Sequence, residues 1–241
     1  MQKCVVVLAL VLSCAGMGYT DLTSDLTQWG IDFGLRLVQS PASLFMEFQN
    51  TMDDTVPVKE NKWVVVKTNL VPLMLPFTAT GIAINAKVWP ESQYIPQCGL
   101  YFNYWALPVL SAVPADTASA SISGYGYGAV IAKKLKKQTR LFTGIKASQA
   151  QMSVKLAKPV DMSGTQFTGL DMIDTDYYWY TGLEFQSNAK KSIYTQLGYS
   201  FNTKRIFSKI SLCYTWSEIG LAIYPEGFIV VYPYWNIRIK F

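Results

Sequence analysis

An all-β chain, a closed antiparallel transmembrane barrel of 8–10 strands preceded by a short helical segment, is the fold the sequence predicts. Three observations predict it. From Lys62 onward, apolar and polar side chains alternate with a period of two, in segments of about ten residues, as membrane-spanning strands require. Before that point apolar residues recur at three, four or seven, the helical spacing. The composition fits: of 241 residues 50% are hydrophobic and 14% aromatic but only 15% charged, against about 25% charged in an ordinary soluble domain.

The elements follow in order. Lys3, the apolar run Val5 to Leu12, and the small residues Ser13, Ala15, Gly16 and Gly18 make a secretory signal peptide over residues 1–18. A rival cut before Cys14 would leave a lipid-modified first residue. Removing the leader takes Cys4 with it and leaves Cys98 and Cys213, whose strand phases argue against a bond. No later stretch is apolar for long enough to span as a helix.

Residues 19–60 form the amphipathic segment. Leu22, Leu26, Trp29, Phe33, Leu37, Leu44, Phe48 and Met52 mark its apolar stripe, and Ser40-Pro41 reads as a cap with a helix starting after it. The plain expectation is a pair of helices over a barrel rim, the sharper one a plug. Its face carries Asp21, Asp25, Asp32 and Glu47 rather than the basic residues of a membrane-surface helix.

Residues 61–241 are the barrel. Val64, Val66 and Thr68 oppose Val65, Lys67 and Asn69; Leu100, Phe102 and Tyr104 oppose Tyr101, Asn103 and Trp105. Tyr177, Trp179 and Phe185 oppose Tyr178, Tyr180 and Glu184. Short polar connections at 187–190 and 202–204 separate neighbours, and longer ones are expected at 107–122 and 158–175. Between Trp216 and Ile223 the apolar phase switches from even to odd numbers, which fits a turn or a bulge. Roughly 180 residues at about ten per strand plus turns allow eight to ten strands, and ten is preferred.

The two phases have different chemistry. One collects aromatic residues at strand ends, as interfacial girdles need. The other holds Lys67, Lys87, Lys146, Glu184, Lys209 and Arg238, the candidate lumen side chains. They suit either a narrow anion-favouring path or a paired core, since an isolated buried charge is costly. A soluble lipocalin-like barrel holding an apolar ligand alternates too, with its apolar phase turned inward. Periodicity cannot separate the two.

The sequence ends in a strand with Trp235, Ile237, Ile239 and Phe241 on one phase. This resembles the last strand of bacterial outer-membrane β-barrel proteins, which typically finishes in an aromatic residue. The resemblance implies a bacterial outer-membrane location, reading of that strand by the barrel-assembly machinery, and outer-membrane lipid as partner. Pro233 and the helical front segment depart from the simplest small barrels.

No histidine is present. That removes imidazole-dependent triads, Cys–His pairs and His-ligated metal sites, so no enzyme and no cofactor is expected. Asp171, Asp174 and Asp176 lack the spacing of a calcium loop. Lys133, Lys134, Lys136, Lys137 and Arg140 form the densest basic run. It reads as a solvated turn or, if it faces outward, as a contact for the phosphates of surface lipopolysaccharide. Nucleic acid does not fit an exported barrel. The expected role is structural, surface-interacting or a narrow pore.

Overall fold

The computed structural model describes residues 50, 55–59, 61–71, 80–106, 118–162, 165–188, 190–226 and 230–241. Ten strands carry the described chain: β1 (Val64–Val71), β2 (Thr80–Trp89), β3 (Gln97–Ala106), β4 (Ala118–Lys136), β5 (Thr139–Met162), β6 (Thr165–Asn188), β7 (Lys191–Ser200), β8 (Ile206–Cys213), β9 (Ser217–Ile223) and β10 (Val231–Lys240). Each pairs antiparallel with its sequence neighbour, and β1 pairs with β10, so the sheet closes. The signal peptide and nearly all of the helical front segment lie outside the described residues; Asn50 and Thr55 to Lys59 are its described part.

The even strand count puts the start and finish of the barrel at one rim, where the Trp63 amide donates to the Phe241 carbonyl (2.9 Å). That rim also carries the connections 90–96, 137–138, 189–190 and 214–216. The opposite rim carries the turn 201–205 and the ends of β1, β3 and β9; eight residues separate β1 from β2 and eleven separate β3 from β4.

Two expectations are corrected. The stretch 158–175 is not a connection: β5 runs to Met162 and β6 starts at Thr165, with Val160 opposite Phe167 and Ser153 opposite Asp171. These strands exceed by about a dozen residues the 9–11 that cross a bilayer. Their outer parts extend past the bilayer, where the backbone ladder continues through Asp171 and Asp174, residues that read as loop signals, and Met152 and Val154 stay buried on one face. Likewise β4 starts at Ala118, inside the stretch read as the 107–122 connection. The phase switch near Trp216 is a turn, after which β9 sends Ile219 and Leu221 outward and Glu218 inward.

The apolar phase faces outward on every strand whose side chains are described. Ile82, Ile84, Leu100, Phe102, Ile145, Leu197, Ile210, Leu212, Ile219 and Leu221 are exposed. Tyr104, Tyr125, Tyr177 and Trp179 ring the band near the far rim, and Trp63, Trp89, Tyr214, Trp216 and Phe241 near the terminal rim. The inward glycines do not leave space. Gly124, Gly128, Gly144, Gly182, Gly198 and Gly220 stand directly opposite Trp105, Tyr101, Tyr180, Phe142, Phe207 and Tyr234. A Cβ on any of them would collide with the ring across the ladder. Each aromatic lies flat over the missing side chain, which fills a narrow lumen that alternating large residues would overpack.

Candidate functional site: the sealed lumen

The six candidate lumen residues, Lys67, Lys87, Lys146, Glu184, Lys209 and Arg238, are all buried inside the barrel. They do not form one cluster. Two carboxylates organise two groups. Glu218, which strand phase had left uncertain, bridges to Lys67 (3.2 Å) and to Arg238 (3.8 Å). Glu184 pairs with Arg140 (3.2 Å) rather than with a lysine, and accepts a hydrogen bond from the Tyr194 hydroxyl (2.9 Å). Arg140 also donates to Gln97 Oε1 (2.7 Å). A guanidinium and a carboxylate taken out of water together are tolerable when neutral donors and acceptors complete the set, as here.

The remaining lysines exceed the acids, and the front segment supplies the difference. Lys146 Nζ donates to Asn50 Oδ1 (2.5 Å) and Lys209 Nζ to the Asn50 carbonyl (2.7 Å). Lys87 Nζ donates to the Lys59 carbonyl (3.2 Å). Asn85 and Gln97 hold the carbonyls of Val56 and Val58 at 2.7 and 2.9 Å, and Thr55 donates to Gln196 (2.7 Å). Val56 packs in the same buried cluster as Tyr101, Val130, Phe142, Tyr180 and Tyr194. Residues 50 and 55–59 thus occupy the lumen from the terminal rim inward.

Aromatic faces take the rest of the positive charge. Lys146 lies 4.4 Å from the Tyr178 ring centroid, Lys209 5.2 Å from that of Tyr234, and Lys87 4.9 Å from that of Trp63. Ring quadrupoles attract cations most where water is absent. Deeper toward the far rim Tyr178, Phe207, Tyr224, Tyr232 and Tyr234 pack into a second cluster, with Phe207 stacked on Tyr224 at 6.0 Å.

The basic run is split. Lys133 Nζ donates to the Ser92 and Gln93 carbonyls (2.7 and 2.8 Å), and the Lys134 amide to Glu91 (2.8 Å). Lys136 and Lys137 are exposed at the β4–β5 turn, and Arg140 points into the lumen. Arg140 shares the phase of Phe142 and Lys146, so its inward direction was readable. Asp176 accepts from the Ser200 hydroxyl (2.5 Å) and the Tyr177 amide (2.8 Å), while Asp171 accepts from Ser153. Cys98 and Cys213 form no disulfide, and Cys213 Sγ accepts from Arg238 (3.0 Å). Trp235, Ile239 and Phe241 face outward, with Ile237 on the same phase.

No protein-family model matches the chain, and no curated protein matches it. Among solved structures it is similar to Ail, the attachment invasion locus protein of Yersinia pestis, at 10% identity and TM-score 0.38, over 73% of this chain and 94% of that one. The same protein in complex with the heparin analogue sucrose octasulfate gives 9% identity and TM-score 0.34 over the same shares. With its edges closed, its apolar phase outside and its charges within, the chain has the architecture of a membrane-spanning β-barrel.

Proposed function

We propose that this protein is an integral β-barrel of a bacterial outer membrane, non-enzymatic, serving as a sealed anchor that holds a β-ribbon outside the cell for contact with other molecules. One observation carries the reading: the apolar phase faces outward in a continuous band while lysines, arginines and glutamates are buried inside. A soluble ligand-binding barrel needs the reverse. Short turns at the terminal rim correspond to the periplasmic side of such barrels and longer links to the outer side. On that orientation the extensions of β4, β5 and β6 project outward. The basic turn at Lys133 to Lys137 then faces the periplasm, away from surface lipopolysaccharide. The front segment and the ring-filled lumen speak for an anchor over an open pore.

Fractionation of cells expressing the full chain tests the location. Retention in the membrane pellet after alkaline washing, with heat-modifiable gel migration, is expected; release into the soluble fraction overturns the reading. Reconstituted in a planar bilayer, the full chain should be electrically silent, and steady unit conductance would establish a pore instead. Deleting Phe241 should lower the amount of assembled barrel in the membrane, through the outward-facing pattern it shares with Ile239, Ile237 and Trp235; unchanged insertion overturns the assembly role.

A further inference from the structure

On the outer wall, β7 to β10 frame a furrow of about 600 Å³ lined mainly by apolar side chains. We infer that this furrow is a binding site for one acyl chain of an anionic phospholipid whose headgroup lies at the terminal rim. The inference rests on the membrane reading above and adds to it a place on the wall and a class of lipid.

Strand register builds the furrow. Leu212, Ile219 and Trp235 stand side by side on β8, β9 and β10 with outward side chains, and Ile193 continues that row onto β7. Two residues nearer the far rim, Ile210, Leu221 and Pro233 make a second outward row. Between the rows Ser211, Gly220 and Tyr234 lie on the inward phase, so the floor is backbone. The outward phases of β8 and β9 carry no aromatic ring, whereas β3 presents Phe102 and Tyr104 and β6 presents Tyr177, Trp179 and Phe185. Rings reach farther from the sheet and spread over the lane between two rows. Short branched side chains leave that lane open.

The furrow opens in the outward apolar band, where its filling has to be apolar because an unsatisfied polar group in hydrocarbon is costly. Its volume falls within the about 300–1,000 Å³ of small-molecule sites. Strands of such barrels tilt by about 35–45°, so a furrow that crosses them slopes through the layer, a course that an acyl chain can follow. A second copy is the poorer occupant: a two-fold contact of this surface with itself sets trough against trough. The class of lipid follows from the rim. Tyr214 lies two residues beyond Leu212 on the same outward phase, and lysines from two strands converge on it. Lys191 Nζ stands 5.5 Å from its ring centroid, and Lys240 Nζ donates to its carbonyl (3.1 Å). Lys191 is exposed and shares the outward phase of Ile193. Tyrosine with lysine at the edge of an apolar band marks headgroup depth, and lysine there attracts anionic lipid.

The test uses the full chain in phosphatidylcholine nanodiscs doped with a probe lipid that carries a photoreactive diazirine on one acyl chain. The probe is phosphatidylglycerol or, for comparison, phosphatidylcholine, and adducts are mapped by mass spectrometry. The phosphatidylglycerol probe should label β8 to β10 in excess over Leu100 and Phe102 on β3, and in excess over the phosphatidylcholine probe. Lys191→Gln should lower the preference for phosphatidylglycerol about fivefold. Leu221→Trp, which fills the furrow, should level the labelling of the two walls. Heat-modifiable migration checks that both variants are folded, and either one alone tests the site. Uniform labelling around the barrel, or an excess unchanged by Leu221→Trp, overturns the furrow. Equal labelling by the two probes, or a preference unmoved by Lys191→Gln, overturns the anionic class. Adducts between two chains from a photoreactive residue at Ile210 assign the furrow to a second copy and overturn the lipid. A chain that takes up no lipid adduct on any strand fails the membrane reading itself, a result distinct from uniform labelling.

Discussion

The barrel wall and the ribbon that rises from it are the same secondary structure held by different forces. In the wall every strand has two partners, six inward glycines face a ring, and the buried charges meet carboxylates, carbonyls or aromatic faces. In the ribbon, β5 continues against β4 to Leu156 and against β6 to Met162. Among the described residues no strand pairs with the outer edge of β4 before Ser123, nor with that of β6 before Tyr178. Three strands can persist on their ladder when anchored at the base, though a free hairpin would be marginal. The wall is specified by packing around a closed lumen, the ribbon by continuation of pairing with Met152 and Val154 buried on one of its faces. An unpaired strand edge is also a template for a partner's strand, and the ribbon offers two.

This contrast can be broken by substitution. The largest effect is expected at Glu218, where Glu218→Gln leaves the buried Lys67 and Arg238 facing a neutral amide. Removing one member of a buried ionic group costs about 3–5 kcal/mol, read as a lower urea midpoint for the folded barrel. Glu184→Gln should cost less, because Tyr194 and Gln97 can still satisfy the amide and Arg140. Gly198→Val comes next: the new side chain meets the Phe207 ring, and overpacking of this kind costs about 1–3 kcal/mol. Asn50→Ala removes one partner of Lys146 but keeps the backbone carbonyl that holds Lys209. A loss of about 1–2 kcal/mol is expected, with faster protease cutting of the front segment. The smallest effect belongs to the ribbon. Ser153→Ala deletes an exposed contact with Asp171 and should change the melting temperature by the equivalent of less than about 0.5 kcal/mol. If it matched Gly198→Val, the ribbon would be part of the wall's cooperative unit and the contrast would fail.

How much of this could be read from the chain follows the same division. Alternation placed Lys67, Lys87, Lys146, Glu184, Lys209 and Arg238 on one phase, because in the wall each residue must choose between lipid and lumen. Arg140 carried the same signal but stood in a run of lysines that drew attention to charge instead of phase. Glu218 lay where the phase switches, and only the turn at 214–216 resolves it. The outer parts of β5 and β6 read as a connection because residues such as Pro159, Asp171 and Asp174 signal turns, although Met152 and Val154 there are buried on one face. The occupied lumen was least legible: the barrel holds Asn50, Val56, Val58 and Lys59 by their carbonyls, and a carbonyl is common to every residue type.

The location of Asn50 and Thr55 to Lys59 inside a ring closed by β1 and β10 constrains the order of assembly. Val65 must find Lys240 across nearly the whole strand sequence, a contact of very high sequence separation and therefore intrinsically slow. A segment that lies within the ring has either to be in place before that seam shuts or to thread a lumen already crowded with rings. The first route needs no reopening. The seam would then close around its own cargo, making the earliest part of the barrel chain a template on which the last strand finishes the wall.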